Sequence, residues 1–191
     1  MSNFWTSNAL EPKRAWRWVG YLNLQTAKGK EVGPKPFIIS SFTKPTFTLA
    51  NETIINKFTS ETEIVIKNYV WDDISITMID VEDKALNASK GLYDWLVGLG
   101  YQPAQNLKKL SSLFTNLYKN KMNITLEHIN AEGKPVERWS FTKPQPTSIN
   151  FGGDLNYNTD EAMTVTLGIT YVAAKYEYLA KGGGLSGLFG L

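Results

Sequence analysis

The sequence predicts a mainly β protein of the α+β class: an antiparallel β-barrel or sandwich with one flanking α-helix and a second, shorter helical pattern beside it. Three observations predict this. Residues 163–171 alternate without a slip, with Met163, Val165, Leu167, Ile169 and Tyr171 on one side and Thr164, Thr166, Gly168 and Thr170 on the other. That is the period of a strand with one face buried. Shorter alternating runs recur along the chain between Gly-, Pro-, Asn- and Asp-rich punctuation. Only residues 82–99 and a stretch from Asn106 to Tyr118 switch to helical spacing.

The composition supports one packed domain. The chain has 191 residues, 42% of them apolar and 13% aromatic, which is ample for a core. Twenty Lys and Arg against 18 Asp and Glu leave a net charge of +2, too balanced to argue for a nucleic-acid partner by charge. The absence of cysteine removes disulfides, thiolate metal sites and cysteine nucleophiles. The N-terminus lacks the basic-then-apolar order of a signal peptide, and no run reaches the length of a membrane span. A soluble, cytoplasmic protein without membrane insertion is the expectation. It divides into an N-terminal arm over residues 1–12, a β domain over 13–179 and a Gly/Leu-rich tail over 180–191.

In the arm, Phe4 and Trp5 stand in an otherwise polar segment and need somewhere to bury, on the parent domain or on a neighbour. Residues 15–24 read as the first strand, with Trp16, Trp18, Leu22 and Leu24 sharing a face. A Gly/Pro turn region follows, and residues 37–42 return as the second strand. Phe42-Thr43-Lys44-Pro45 is repeated as Phe141-Thr142-Lys143-Pro144. In each case a strand runs into a proline, and the matched context suggests a pseudo-repeated half-barrel.

Residues 46–62 mix Phe47, Leu49, Ile54, Ile55 and Phe58 with polar side chains, as in a hairpin or a functional loop. Residues 63–66 and 70–81 read as strands, the second with Ile74, Ile76 and Met78 on one face. In the helix over 82–99, Ala85, Leu86, Leu92, Tyr93, Trp95, Leu96 and Leu99 form a broad apolar face, and Asp80, Glu82 and Asp83 favour its N-terminus. Residues 122–129 and 136–141 form a hairpin around Asn130–Lys134 in sequence. Residues 148–151 pair with the long alternating strand, and this return strand closes the sheet.

No catalytic constellation stands out. The single histidine, His128, sits beside Glu127 on a predicted strand, without further ligands at workable spacing. No Gly-x-Ser-x-Gly elbow is present. The pairs Asp72-Asp73, Glu82-Asp83 and Asp160-Glu161 read as turn or cap residues. Gly152-Gly153 and the glycines at 182–184 lack the context of phosphate loops. The expectation is a non-enzyme without cofactor or metal.

The order of elements carries a resemblance. Val70-Trp71-Asp72-Asp73-Ile74-Ser75-Ile76-Thr77-Met78, then an acidic turn and a helix holding Leu92-Tyr93-Asp94-Trp95, resembles the middle of the tail tube proteins of contractile-tailed bacteriophages. Trp139-Ser140-Phe141, Pro146-Thr147-Ser148-Ile149, Leu155-Asn156-Tyr157 and the run from Val165 to Tyr171 resemble that family's closing strands. The resemblance spans about residues 14–178 and lacks a short diagnostic motif. It implies a virion protein of the tail, assembled in the host cytoplasm. Its subunits would form homo-hexameric rings that stack around a lumen through which DNA passes without specific binding, with sheath and baseplate proteins as partners. Lumen-facing candidates are then Ser75, Thr77, Thr164, Thr166 and Thr170. Subunit-interface candidates are Phe4, Trp5, Phe47, Ile54, Ile55 and Phe58.

Three alternatives remain at this stage. The chain could be a tube initiator or terminator ring, or the inner tube of a contractile secretion or injection system. From another class, it could be a carbohydrate-binding or hydrolytic β-sandwich using its six tryptophans. Tryptophans arranged in an open groove favour the last reading, whereas tryptophans buried beneath the helix favour a tube.

Overall fold

The computed structural model describes residues 13–25, 31–33, 36–55, 62–99, 101, 121–153, 157–158 and 160–179. Phe4, Trp5, Phe58, the second helical pattern at 106–118 and the tail at 180–191 lie outside these residues. Among the described residues, eleven strands and one helix follow in the order β1 (Trp18–Gln25), β2 (Glu31–Val32), β3 (Ile39–Phe42), β4 (Phe47–Ile55), β5 (Thr62–Trp71), β6 (Ile74–Ile79), α1 (Ala88–Gly98), β7 (Lys121–Ile129), β8 (Pro135–Thr142), β9 (Gln145–Asn150), β10 (Thr164–Thr170) and β11 (Ala173–Tyr178). They build an antiparallel sandwich with one flanking helix, as the alternation predicts.

Sheet A has the order β11-β8-β7-β1-β2, and sheet B the order β3-β6-β10-β9. β4 and β5 form a separate two-stranded ribbon. The core lies between the sheets. Sheet B contributes Ile74, Ile76, Met78, Val165, Leu167 and Ile169, and sheet A contributes Leu24, Met122, Ile124, Leu126 and Phe141. Leu92 and Trp95 of α1 belong to the same buried cluster. Gly20 lets the sheets approach: a Cβ there would lie 3.0 Å from Ile39 Cδ1 and 3.1 Å from Phe42 Cδ2. Ile39 and Phe42 both pack against the core although they are three apart, because a bulge shifts the register between Ile39 and Ser41.

Several sequence expectations change. Met163 is 42% exposed and lies before β10, so the buried alternation begins at Val165. Trp16 is 72% exposed, in a turn closed by Arg17 N–H donating to Arg14 O at 3.1 Å. β10 does not close sheet B but runs inside it, between β6 and the edge strand β9. Pro146, which lacks an N–H, sits on that edge strand, where a missing donor costs least. The segments read as 63–66 and 70–81 are re-divided: β5 runs through to Trp71, and Asp72 and Asp73 separate it from β6. The two Phe-Thr-Lys-Pro copies end strands of different sheets, and only the second has its lysine in left-handed backbone, Lys143 at φ 51. They do not define equivalent halves.

The helix is shorter than its apolar pattern. Asp83 Oδ1 accepts from Ala85 N at 2.7 Å and Leu86 N at 3.2 Å, holding those residues in a turn. Asn87 then caps α1 by accepting from Lys90 N at 2.6 Å. Asp80 reinforces the same end, its carboxylate accepting from Ala88 N at 2.9 Å, Ser89 N at 3.2 Å and Ser89 Oγ at 2.6 Å. Ala85 therefore leaves the helix and is exposed; Tyr93, inside α1, is also exposed and rests edge-on against Tyr101.

Candidate functional site

The outer face of sheet B brings together all five residues expected to line a lumen. Period-two alternation that buries Val165, Leu167 and Ile169 turns Thr164, Thr166 and Thr170 outward, and the pattern of β6 does the same for Ser75 and Thr77. Register then aligns them across strands. Thr166 stands opposite Thr77, with their hydroxyls 3.3 Å apart, and its other neighbour is Asn150. Ser75 stands opposite Gly168, which in turn faces Ser148. Thr43 Oγ1 joins the row 2.9 Å from Ser75 Oγ. A Cβ at Gly168 would come within 2.4 Å of Ser148 Oγ, so the glycine makes room for the hydroxyls beside it.

This face is uncharged. The strands read ISSF, QPTSIN, ISITMI and TVTLGIT, without an Asp, Glu, Lys, Arg or His among them. Sheet A differs on its outward side. There Glu127 pairs with Arg138 at 2.6 Å, and Lys175 with Glu177 at 2.7 Å.

The ribbon supplies the second surface. Phe47 pairs with Trp71 and Leu49 with Tyr69; beyond a register shift at Ala50/Asn51, Asn51 pairs with Ile66 and Thr53 with Ile64. Since paired residues share a face, Phe47, Leu49, Ile64, Ile66 and Tyr69 form one apolar stripe. It is open to solvent, with Ile64 71% and Ile66 64% exposed. Ile54 pairs with Glu63 and belongs to the opposite face from Phe47, so two residues expected to act together are separated. Ile55 ends β4 opposite Thr62. Ile64, Ile66 and Tyr69 were missed; reading β5 as one period-two run with a bulge would have found them.

The base of the ribbon is held by aromatic rings. Phe47 contacts Trp71 at a centroid distance of 4.7 Å, Trp71 contacts Tyr171 at 6.0 Å, Tyr171 contacts Phe141 at 5.0 Å and Phe141 contacts Phe42 at 5.9 Å. Burial, with Asp72 and Asp73 nearby, pushes the Tyr171 hydroxyl up to about 12.

At one end of the sandwich, Trp18, Phe42, Leu126 and Trp139 wall a pocket of about 340 Å³ whose polar side holds His128, Glu137, Lys13 and Lys44. Glu137 accepts hydrogen bonds from Lys13, from Lys44 at 3.0 Å and from the Tyr176 hydroxyl at 3.2 Å. Burial alone would raise its carboxyl, but the two lysines outweigh burial and hold it down at about 2. A carboxylate so held is a poor proton donor, and among the described residues no second carboxylate lines the pocket for the paired chemistry of glycosidases. Trp95 is fully buried, while Trp18 and Trp139 are half-buried at this pocket rather than spread along an exposed groove. Among the described residues, no group of three His, Cys, Asp or Glu could hold a metal ion.

As a sequence, the chain matches no family profile and no curated protein. Its fold does match solved structures. A chain of the anti-feeding prophage cap, the tube-terminating cap, superposes with a TM-score of 0.61 at 15% identity, over 94% of this chain and all of that one (100%). A chain of the sheath-tube complex of an extracellular contractile injection system, PVC, in the extended state gives 0.60 at 13% identity, covering 91% and 99%. A chain of the anti-feeding prophage baseplate gives 0.57 at 11%, covering 90% and 99%. This chain therefore shares its fold, nearly end to end, with chains of the anti-feeding prophage and of an extracellular contractile injection system.

Proposed function

We propose that the chain is a structural subunit of a tail-tube-like assembly, in which copies close into rings, six to a ring by the resemblance, and the rings enclose a channel. The outer face of sheet B carries this reading. Ser75, Thr77, Thr164, Thr166 and Thr170 are its lining residues, small and uncharged, and they give passing cargo no fixed charge to bind. In that arrangement the charged outward side of sheet A turns to the outside of the ring, toward a sheath. The stripe of Phe47, Leu49, Ile64, Ile66 and Tyr69 packs against the neighbouring copy or the next ring, and Ile54 serves a contact on the ribbon's other side. The edges β3 and β9 are unpaired among the described residues, and joining them between copies extends sheet B around the ring. Baseplate proteins are the expected partners at the tube's end.

The likeness to the tube-terminating cap and to the baseplate chain supports a second version, a ring that starts or ends a tube. The same likenesses favour an injection machine over a DNA-ejecting phage tail, with assembly in the cytoplasm as the route expected for either. Negative-stain microscopy of the purified chain tests the proposal: rings or tubes with a central channel are expected. Long tubes favour the repeating subunit, and single rings favour the terminal one. A persistent monomer at high concentration would sink both versions.

A further inference from the structure

Sheet A ends on two edges, and they differ. β2 is two residues long. β11 runs six residues, from Ala173 to Tyr178, in unbroken register with β8 and without a proline. Edges are commonly blunted by shortness, proline, bulges or charges of one sign. β11 instead carries one charge of each sign, Lys175 and Glu177. Among the described residues it has a strand on one side only. Leu179 N donates to Val136 O at 2.7 Å, so the odd-numbered residues of this ladder bond to β8. The N–H and C=O groups of Ala174, Tyr176 and Tyr178 therefore point to the open side.

The order of side chains along β11 decides what fits there. Lys175 and Glu177 share the outward face, 2.7 Å apart, while Ala174, Tyr176 and Tyr178 share the other. The Tyr176 ring is turned toward β8, its centroid 5.0 Å from that of Trp139, which leaves the strand's backbone open. A second β11 can add antiparallel about a two-fold axis in three nearby registers. Centring on Lys175 sets lysine against lysine, and centring on Glu177 sets glutamate against glutamate, both destabilising. Centring on Tyr176 sets Lys175 opposite Glu177 of the partner, and Glu177 opposite Lys175 of the partner. These fall at non-hydrogen-bonded positions, where Cα atoms are about 4.5 Å apart and side chains are closest. The same register mates the open backbone groups, Tyr176 with Tyr176 of the partner and Ala174 with Tyr178 of the partner. The exposed, bulky Tyr178 then lies beside a small residue. We infer that two copies of this chain pair β11 to β11, antiparallel and centred on Tyr176, with crossed Lys175–Glu177 contacts. The interface is self-complementary and closes at two copies. Copies within one ring point the same way, whereas these two point oppositely, so the dimer is a form of the subunit outside the ring. It covers an edge that would otherwise pair indiscriminately, and it does not rest on ring formation.

The chain has no cysteine, so Tyr176→Cys in the full-length protein introduces a single thiol. In the paired strands its two Cα atoms lie about 5.5 Å apart, within the roughly 4.4–6.8 Å that a disulfide spans. Mild oxidation should give a covalent dimer roughly tenfold or more faster than with Tyr21→Cys, an exposed control on β1 of the same sheet. Without oxidant, sedimentation should show a reversible dimer. Lys175→Glu turns both crossed pairs repulsive and should raise the dissociation constant roughly tenfold. The exchange Lys175→Glu/Glu177→Lys should restore it. Circular dichroism confirms that each variant is folded. Repeating the series in an Ile64→Glu/Ile66→Glu background separates this contact from the ribbon, and the dimer should persist there. Rings that fail to form beside a persistent dimer support this pairing and sink only the tube reading. A dimer indifferent to Lys175→Glu, an exchange that fails to restore it, or cross-linking no faster than the control overturns the inference. So does a dimer lost with the ribbon substitutions, which would assign the contact to the ribbon.

Discussion

Leu167 and Thr166 are adjacent on β10, yet one is fully buried between the sheets and the other looks out from sheet B. Leu167→Asp places an unpaired carboxylate in the core and is expected to cost more than about 4 kcal/mol, unfolding the subunit. Thr166→Leu gives up one hydroxyl contact to Thr77 and should leave stability within roughly 1 kcal/mol. Urea titration followed by circular dichroism checks both, and a folded Leu167→Asp protein would show the facing to be wrong. Glu137 makes a different prediction. Its folded carboxyl titrates at about 2 against an ordinary 4.5, so its contribution is complete above pH 4.5 and is lost as pH falls toward 2. With screening at the two half-exposed lysines allowed for, the contribution is roughly 2 kcal/mol. Glu137→Gln should flatten the acid limb of the stability profile between those pH values. An unchanged acid limb in the variant would remove Glu137 from the account.

Strands were legible wherever one face is buried and the other wet, because alternation is then written in residue type. That holds for β6, β7, β8 and β10, and with them for Ser75, Thr77, Thr164, Thr166 and Thr170, which share the outer face of sheet B. β11, with the sequence AAKYEY, escaped because neither of its faces is strongly apolar; it is held by its ladder to β8. β2 is two residues long, too short for any period to show. The helix was read too long because its apolar spacing extends back through Leu86 and Ala85, whereas hydrogen bonding at Asp83 and Asn87 decides where it starts. The ribbon's exposed apolar face was half legible: the bulge reverses which residues share a face, and nothing in the composition of residues 62–71 announces it. Asp80 tests the helix start. It receives three hydrogen bonds from Ala88 and Ser89, so Asp80→Ala should destabilise the subunit by about 1–2 kcal/mol without changing strand content. A loss within experimental error would mean that Asn87 alone suffices as the cap.

Across the described residues, the buried core and the exposed ribbon divide the apolar surface between them. The core closes between two sheets and one helix, while the ribbon extends an apolar stripe that the subunit does not cover. Large exposed apolar surface of this kind marks a contact waiting for a partner. Replacing Ile64 and Ile66 by Glu should therefore leave the melting temperature nearly unchanged and abolish rings, as read by sedimentation and negative-stain microscopy. Rings that persist in this variant would move the contact away from the ribbon.

The uncharged strands of sheet B have one more consequence. A wall with fixed charges changes its grip on a moving polymer as counterions come and go, over a screening distance of about 10 Å at 0.1 M salt and about 3 Å at 1 M. A wall of Thr, Ser, Asn and Gln side chains has no such dependence. Friction along it would come from hydroxyl and amide hydrogen bonds exchanged with water, at a rate set by temperature. If sheet B lines a channel as proposed, transport past it should run alike in dilute cytosol and in brine.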